Sequence, residues 1–421
     1  MNLEVTLATI PPRDFDRNLF HSSRLLTVRS SLLSRLFALL AITFIPLSAS
    51  QRALAQRANP PPSPKIVEAL QPYVESQALA GAVTVVANKD KILSLDVVGF
   101  ADIAAKQKMP ADALFWIASQ SKPVTGAALM ILVDEGKVDL NAPVSKYLPE
   151  FNDTWLATER DNDHVLLKRP ARPITVRDCM NHTSGMPFKS AMETPTLDLL
   201  PLRDGIRSYA LTPLVTEPGT KYAYSNAGIN TGGRIIEVVS GLKYEDFLDQ
   251  RLFAPLGMTD TTFWPSEEQQ QRLAKPYKPT ADKMGLEETT ISQLRYPLHD
   301  RTRQPMPGGG LFSTANDMAR FCQMVLNKGT LDGKRILSEA AVTTMTTKQT
   351  ADSVKDGYGV GWSTQGDSFG HGGALSTNHN IDTKRGLITI YLVQHAGFPK
   401  NGNEAHGAFR NAAESQFGTT R

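Results

Sequence analysis

Two rhythms of apolar and polar positions divide the chain. Residues 82–87 and 92–98 are runs rich in β-branched side chains, separated by Asn88-Lys89-Asp90-Lys91, which predicts an antiparallel hairpin. Just upstream, Ser63-Pro64 reads as an N-cap followed by proline at the first helical position, and Ile66, Leu70 and Val74 recur every four residues. A surface helix is expected there, kinked at Pro72. Towards the other end, 358–363, 374–382 and 386–394 read as short strands, and 403–417 as an amphipathic closing helix. Helical signals fill the middle: 119–135 closed by Gly136, 175–182 opened by a Thr-x-x-Asp cap, 227–239, 244–253, and 314–328 closed by Gly329. The first of these is apolar or small nearly all round, as a buried helix is.

This pattern predicts an α+β fold, an antiparallel sheet assembled from both chain ends and flanked by terminal helices, with a helix-rich lobe inserted. The sheet lobe covers about 62–115 and 310–421, the helical lobe about 116–309, and a ligand cleft is expected where they meet. Residues 152–173, with clustered charges and Pro170 and Pro173, read as a loop or insertion. No repeat or low-complexity tract is visible.

With 421 residues, 41% hydrophobic and 21% charged, the chain is an ordinary globular protein able to bury a core. Six of its 45 basic residues and three of its 42 acidic ones fall within 1–55, so 39 of each remain in the body. A neutral body without a basic run argues against nucleic acid as a partner. Cys179 and Cys322 are too few for a disulfide scaffold or an all-cysteine zinc site, and each sits among apolar neighbours in helical register, as buried free thiols do. Arg24, Arg29 and Arg35 precede an apolar stretch at 36–47, which is too short to span a bilayer and is followed by Ala53-Leu54-Ala55. Residues 1–55 therefore read as a prefix and secretory signal peptide cleaved near Ala55, leaving 56–421 as a periplasmic or secreted domain without stable membrane insertion. Acids and Pro11-Pro12 ahead of the basic region are compatible with a translation start further down.

Three short strings carry candidate chemistry. Ser119-Gln120-Ser121-Lys122 places a hydroxyl and an amine three residues apart on one face at a helix start, where the amine can assist removal of the serine proton and the helix N-terminus favours an alkoxide. Ser240-Gly241-Leu242-Lys243 has the same spacing but falls at a helix end, where the dipole has the wrong sign. Tyr224-Ser225-Asn226 follows the turn signal Glu217-Pro218-Gly219-Thr220, and a lysine cation near Tyr224 would stabilise its phenolate. Beside such a turn a tyrosine also simply packs. In Ser368-Phe369-Gly370-His371-Gly372-Gly373 the glycines permit close backbone approach, and a histidine among them has few neighbours to satisfy it.

In this order, Ser119 with Lys122, Tyr224 with Asn226, and His371 to Gly373 resemble the S-x-x-K, Y-x-N and K-T-G or H-x-G motifs of the serine β-lactamase and penicillin-binding protein superfamily, nearest its class C-like branch. Phe115-Trp116-Ile117-Ala118, Ile174-Thr175-Val176-Arg177-Asp178, His182-Thr183-Ser184-Gly185 and Gly308-Gly309-Gly310-Leu311-Phe312-Ser313-Thr314 extend the resemblance over about 62–420. It implies acylation of Ser119, proton transfer by Lys122, Tyr224 as general base, Asn226 orienting substrate, and backbone N–H groups of Ser119 and Ala374 as the oxyanion hole. His371 and Gly372 replace a lysine and a threonine, which removes the usual grip on a substrate carboxylate. Esters or small amides are therefore expected as substrates. No cofactor and no metal is expected. The alternatives are a β-lactamase or D-amino-acid peptidase proper, or a non-catalytic penicillin-sensing or cell-wall-binding module.

Gly366-Asp367-Ser368-Phe369-Gly370 formally matches a nucleophile elbow, but glycines follow where an elbow needs a helix, and only about fifty residues remain for the acid and histidine. His371, His379, His395 and His406 form neither H-x-H nor H-E-x-x-H, so a metallohydrolase is not expected. Tyr209, Trp155 and Trp362 are open between lining a pocket and packing.

Overall fold

The computed structural model describes residues 60–418; the expected signal segment and its cleavage point lie outside them. Within 60–418 a seven-stranded sheet is built from both chain ends. Its strands are β1 (Gly81–Ala87), β2 (Ile92–Asp102), β3 (Gln107–Lys108), β4 (Ser363–Gln365), β5 (Ser368–Gly372), β6 (Asn378–Asp382) and β7 (Leu387–Leu392), in the spatial order β4-β5-β6-β7-β1-β2-β3. Every pairing is antiparallel, and the two ends of the chain join where β1 pairs β7, Val83 opposite Leu392 and Ala87 opposite Ile388.

The central strands β1 and β7 are buried along their whole length because both faces are covered. Alternate side chains reach opposite faces. Ala82, Val86, Leu387 and Tyr391 meet helix α1 (Pro64–Glu75) and the closing helix Ala405–Phe417 through Ile66, Leu70 and Phe409. Val83, Val85, Ile388 and Ile390 join the larger core with the inner helices. Ser63 caps α1 and Pro64 opens it as expected; Pro72 lies in the last turn, where the helix ends in any case. The Ser63 hydroxyl also donates to Gln416 on the closing helix, so the two ends of the described chain lie side by side.

The helical lobe follows the predicted order. Helix α2 (Ser121–Asp134) has every residue from Ser121 to Leu132 buried; it packs on α5 (Asn226–Ser240), which α3 (Val176–Met180) and α4 (Leu202–Leu211) also pack against, all within one common core. Thr175 and Asp178 form the capping box that opens α3. Cys179 and Cys322 are buried free thiols. Among the described residues no helix is long and apolar enough to cross a membrane.

Three expectations need correction. Residues 358–362 are not a strand; only Ser363–Gln365 is, and the buried Tyr358 and Trp362 pack inward instead. The strand expected from 374 begins at Asn378, after a turn at 373–377 in which Gly373 N–H donates to Thr377 O. Residues 152–173 are not merely a loop. They form an exposed hairpin, Leu156–Arg160 with Val165–Lys168, tipped by the exposed residues 161–164, and its base is held where Trp155 stacks under Arg169.

Candidate active site

Ser119 is placed by a stitch of short contacts. Phe115–Trp116 pairs antiparallel with Phe312–Ser313, and Ile117 N–H donates to Leu311 O. The Ser121 hydroxyl donates to Ala118 O and accepts from Leu311 N–H, tying the same two segments once more. Between these anchors Ala118 adopts φ +48°, a left-handed conformation unusual for a residue with a Cβ, and the chain turns sharply into a 3-10 turn, Ala118–Gln120, ahead of α2. Ser119 thus stands on that turn rather than in the helix proper. It still heads the helical run, where the first N–H groups have no intrahelical acceptor.

Lys122 meets Ser119, and Asn226 meets Lys122 from a second helix. The Lys122 side chain is fully buried; its Nζ lies 3.1 Å from Ser119 Oγ and 2.7 Å from Asn226 Oδ1, and it also donates to Gly308 O. Gly308 must be glycine for this approach, since a Cβ would stand 2.8 Å from Asn226 Oδ1. Asn226 is the first residue of α5, whose N-cap is Ser225, so Tyr224 and Asn226 do not share a continuous extended strand; the turn into the helix brings them to one cleft. The Tyr224 hydroxyl lies near Ser119, which favours its ionised form, and the face of its ring lies 4.6 Å from Lys122 Nζ.

Burial sets the charge states. It pushes the Lys122 ammonium well below the ordinary lysine value and the Tyr224 phenol above the ordinary tyrosine value. Desolvation thus works against the expected pair on both sides, disfavouring the lysine cation and the phenolate alike.

Sequence reasoning missed His182. This buried residue, at φ +62°, clamps Tyr224 from both sides: its carbonyl accepts from Ala223 N–H, its Nδ1 accepts from Ser225 N–H, and its ring lies 4.4 Å from the tyrosine ring. The Tyr358 ring lies 4.5 Å from the His182 ring. The only signal was the string His182-Thr183-Ser184-Gly185, to which no role attached.

His371 sits otherwise than expected. It is on strand β5, buried, with neighbours for both nitrogens. Because the Gly372 carbonyl can only accept, Nδ1 carries the proton across their 2.6 Å contact, and Nε2 accepts from the Tyr358 hydroxyl at 2.8 Å. Burial lowers its pKa to about 3. A neutral, doubly bonded imidazole behind Tyr224 offers the cleft no cation. Next to it the backbone is open: pairing of β4 with β5 stops at Gly370, so 371–373 has a strand partner only on the β6 side. Gly373 lies against the serine segment, since a Cβ there would be 2.6 Å from Ile117 O, and Ala374 is exposed in the turn with its N–H outside the turn's own bonds.

Of the remaining candidates, Ser240 ends α5 beside the left-handed cap Gly241, away from any helix N-terminus. Tyr209 and Trp362 are buried, Tyr209 in a hydrogen-bonded network and Trp362 stacked on Phe321. Ser368 belongs to strand β5, not to a strand-to-helix elbow. Among the described residues no three His, Cys, Asp or Glu side chains gather as metal ligands would.

A family model described as Beta-lactamase matches residues 66–414. The chain belongs to the beta-lactamase family. Protein Rv1367c of Mycobacterium tuberculosis is 34% identical over 355 residues, covering 75% of this chain and 86% of its own. Esterase EstB of Burkholderia gladioli is 29% identical over 71% of this chain and 76% of its own. Among solved structures, EstCE1, a hydrolase with promiscuous acyltransferase activity, aligns with a TM-score of 0.67 at 22% identity over 87% of this chain and all of that one. The fold is the β-lactamase-like α+β fold, and the protein is a serine hydrolase.

Proposed function

We propose that this protein hydrolyses carboxylic esters through an acyl-enzyme on Ser119. The observation that carries the proposal is the convergence of the half-buried Ser119 and Tyr224 on the buried Lys122, which bonds the serine hydroxyl and faces the tyrosine ring. The neutral Lys122 amine takes the Ser119 proton as Oγ attacks the carbonyl. Tyr224 gives its proton to the departing alkoxide and regains one from the Lys122 ammonium, so the alcohol leaves and both groups return to their resting states. Water then attacks the acyl carbonyl, and the same pair carries its proton to Ser119. Asn226, Gly372 and Gly373 orient the substrate, and the Ser119 and Ala374 N–H groups receive the developing oxyanion, each such donor contributing about 3 kcal/mol.

Two features favour esters over β-lactams and D-amino-acid peptides. His371 replaces the lysine that would hold a carboxylate, and it is buried, neutral and committed to Tyr358 and Gly372. A relative of this length and similarity bears the name Esterase EstB. We further propose export, with cleavage near Ala55, on the basic and apolar pattern of the leader; N-terminal sequencing of protein recovered outside the cytoplasm is expected to begin just after that point.

Turnover of p-nitrophenyl butyrate and of a chromogenic cephalosporin by the wild type and Ser119→Ala tests the assignment. Ester hydrolysis is expected to dominate and to fall at least about 10³-fold in the variant. Unchanged ester turnover in Ser119→Ala overturns it, and a higher kcat/KM for the cephalosporin replaces the ester reading with the β-lactamase one.

A further inference from the structure

Along residues 181–190 every residue is buried or half-buried except Phe188, which is 43% exposed. Single apolar side chains scattered on a surface need no explanation. Phe188 is not of that kind, because it continues the aromatic wall of the active site. Its ring lies 6.3 Å from that of the half-buried Tyr224, and the two planes are only 19° from parallel. Rings offset in this way present one continuous apolar surface.

The ring is also held from behind. The first two N–H groups of α5, those of Asn226 and Ala227, donate to Phe188 O at 3.0 and 3.2 Å, and the Ser225 hydroxyl donates to Pro187 O at 2.7 Å. Such N–H groups have no acceptor within their own helix, so withdrawing Phe188 would uncap the helix that carries Asn226. A surface fixed beforehand loses little freedom when a ligand lies on it. Two polar groups nearby are committed elsewhere. Lys189, next in the chain, folds back to donate to Glu193 O at 2.8 Å, and His371, whose ring lies 6.1 Å from that of Tyr224, is bonded through both nitrogens to Gly372 O and Tyr358. A hydrocarbon arm of a substrate gains by covering Phe188, whereas a carboxylate arm would meet neither Lys189 nor His371 as a free partner.

We propose that Phe188 forms the apolar wall of a substrate subsite reaching out from Tyr224, and that the preferred ester carries an extended alkyl or aryl arm, on its acyl or its alcohol side, that lies against this ring. The inference rests on the ester reading above and names the class of ester. Phe188 selects by covering hydrocarbon, so its effect grows with the apolar area that a substrate brings.

Three esters test it: ethyl acetate, in which both arms are short, and the isomers ethyl hexanoate and hexyl acetate, which carry the same added methylenes on the acyl and the alcohol side. For each, kcat and KM are measured by titrating the released acid, and kcat/KM is divided by that for ethyl acetate, so that a loss of folded enzyme or of chemistry common to all three cancels. The wild type is expected to favour at least one isomer about 10-fold or more, and Phe188→Ala to lower that ratio about 10-fold, mostly through KM, with Phe188→Leu restoring most of it. The isomer affected names the arm. A wild-type ratio near one for both isomers, or ratios in Phe188→Ala within about twofold of wild type, overturns the subsite. Should Phe188→Ala fail to fold, Phe188→Asn decides by the same ratios. A wild type inert towards all three esters would instead overturn the ester reading, and the subsite with it.

Discussion

Two of the polar neighbours of Lys122 Nζ, the Asn226 amide oxygen and the Gly308 carbonyl, have no proton to give; the third, Ser119, has one. The proposed mechanism uses that asymmetry, passing the Ser119 proton to Lys122 and giving Tyr224 the task of delivering a proton to the leaving group. Tyr224→Phe keeps the ring that packs on His182 and removes only the hydroxyl, so turnover of p-nitrophenyl butyrate is expected to fall about 10²- to 10⁴-fold while the melting temperature stays within a few degrees. Near-normal turnover would refute the role. Ser119, Lys122, Tyr224 and Asn226 were legible because the spacing of reactive side chains survives in sequence. His182 and Tyr358 were not: His182 accepts from the Ser225 backbone and Tyr358 donates its hydroxyl to His371, and the first of these partners is 43 residues away in the chain. His371 was misjudged for a related reason. Three adjacent glycines looked like empty surroundings, whereas the partner that satisfies its ring, Tyr358, comes from another segment.

At the level of elements, the hairpin of β1 and β2 and the buried helix α2 were readable because period and apolar content agree with what covers them. Strand β5 was hidden by its glycines. Gly370 is there not to flex but because β6 passes so close that a Cβ would stand 2.1 Å from His379 O. Helix α4 escaped because Pro201 precedes it and Gly205 interrupts it, and the hairpin at 156–168 escaped because an element exposed on both faces shows no alternation. The close approach of the third motif to the serine turn yields an expected outcome of its own. In Gly373→Ala the new methyl meets Ile117 O at 2.6 Å and Thr377 Oγ1 at 2.1 Å, pushing β5 away from the Ser119 segment. A destabilisation of about 1–3 kcal/mol by urea unfolding, with a larger loss in kcat than in KM, is expected. An unaltered midpoint and kcat would show that the contact does not set the width of the cleft.

Among the described residues, His182, His371, His379 and His395 are buried and His406 is half-buried. Burial lowers His371 and His379 to about 3 and His395 and His406 to about 4, and lowers His182 well below its ordinary value. In the unfolded chain each titrates near 6.5. Between the two values the unfolded state binds more protons, so stability is lost as pH falls from about 6.5. Asp317, raised by burial to about 6, acts in the opposite sense, as do Asp96, Glu193 and Glu245, which burial also raises. The melting temperature is expected to drop by on the order of 10 °C between pH 7 and pH 5, and a flat profile over that range would contradict the neutral assignments.

The bond from Ser63 to Gln416 has a consequence for how the chain could be rearranged. With first and last helices adjacent, a short linker could join them, and new ends could be opened among the exposed residues 161–164 at the hairpin tip, far in sequence from every group assigned to the reaction. A circular permutant cut there should fold and retain hydrolysis, because the order in which the ribosome delivers the segments matters less than the sheet they finally share.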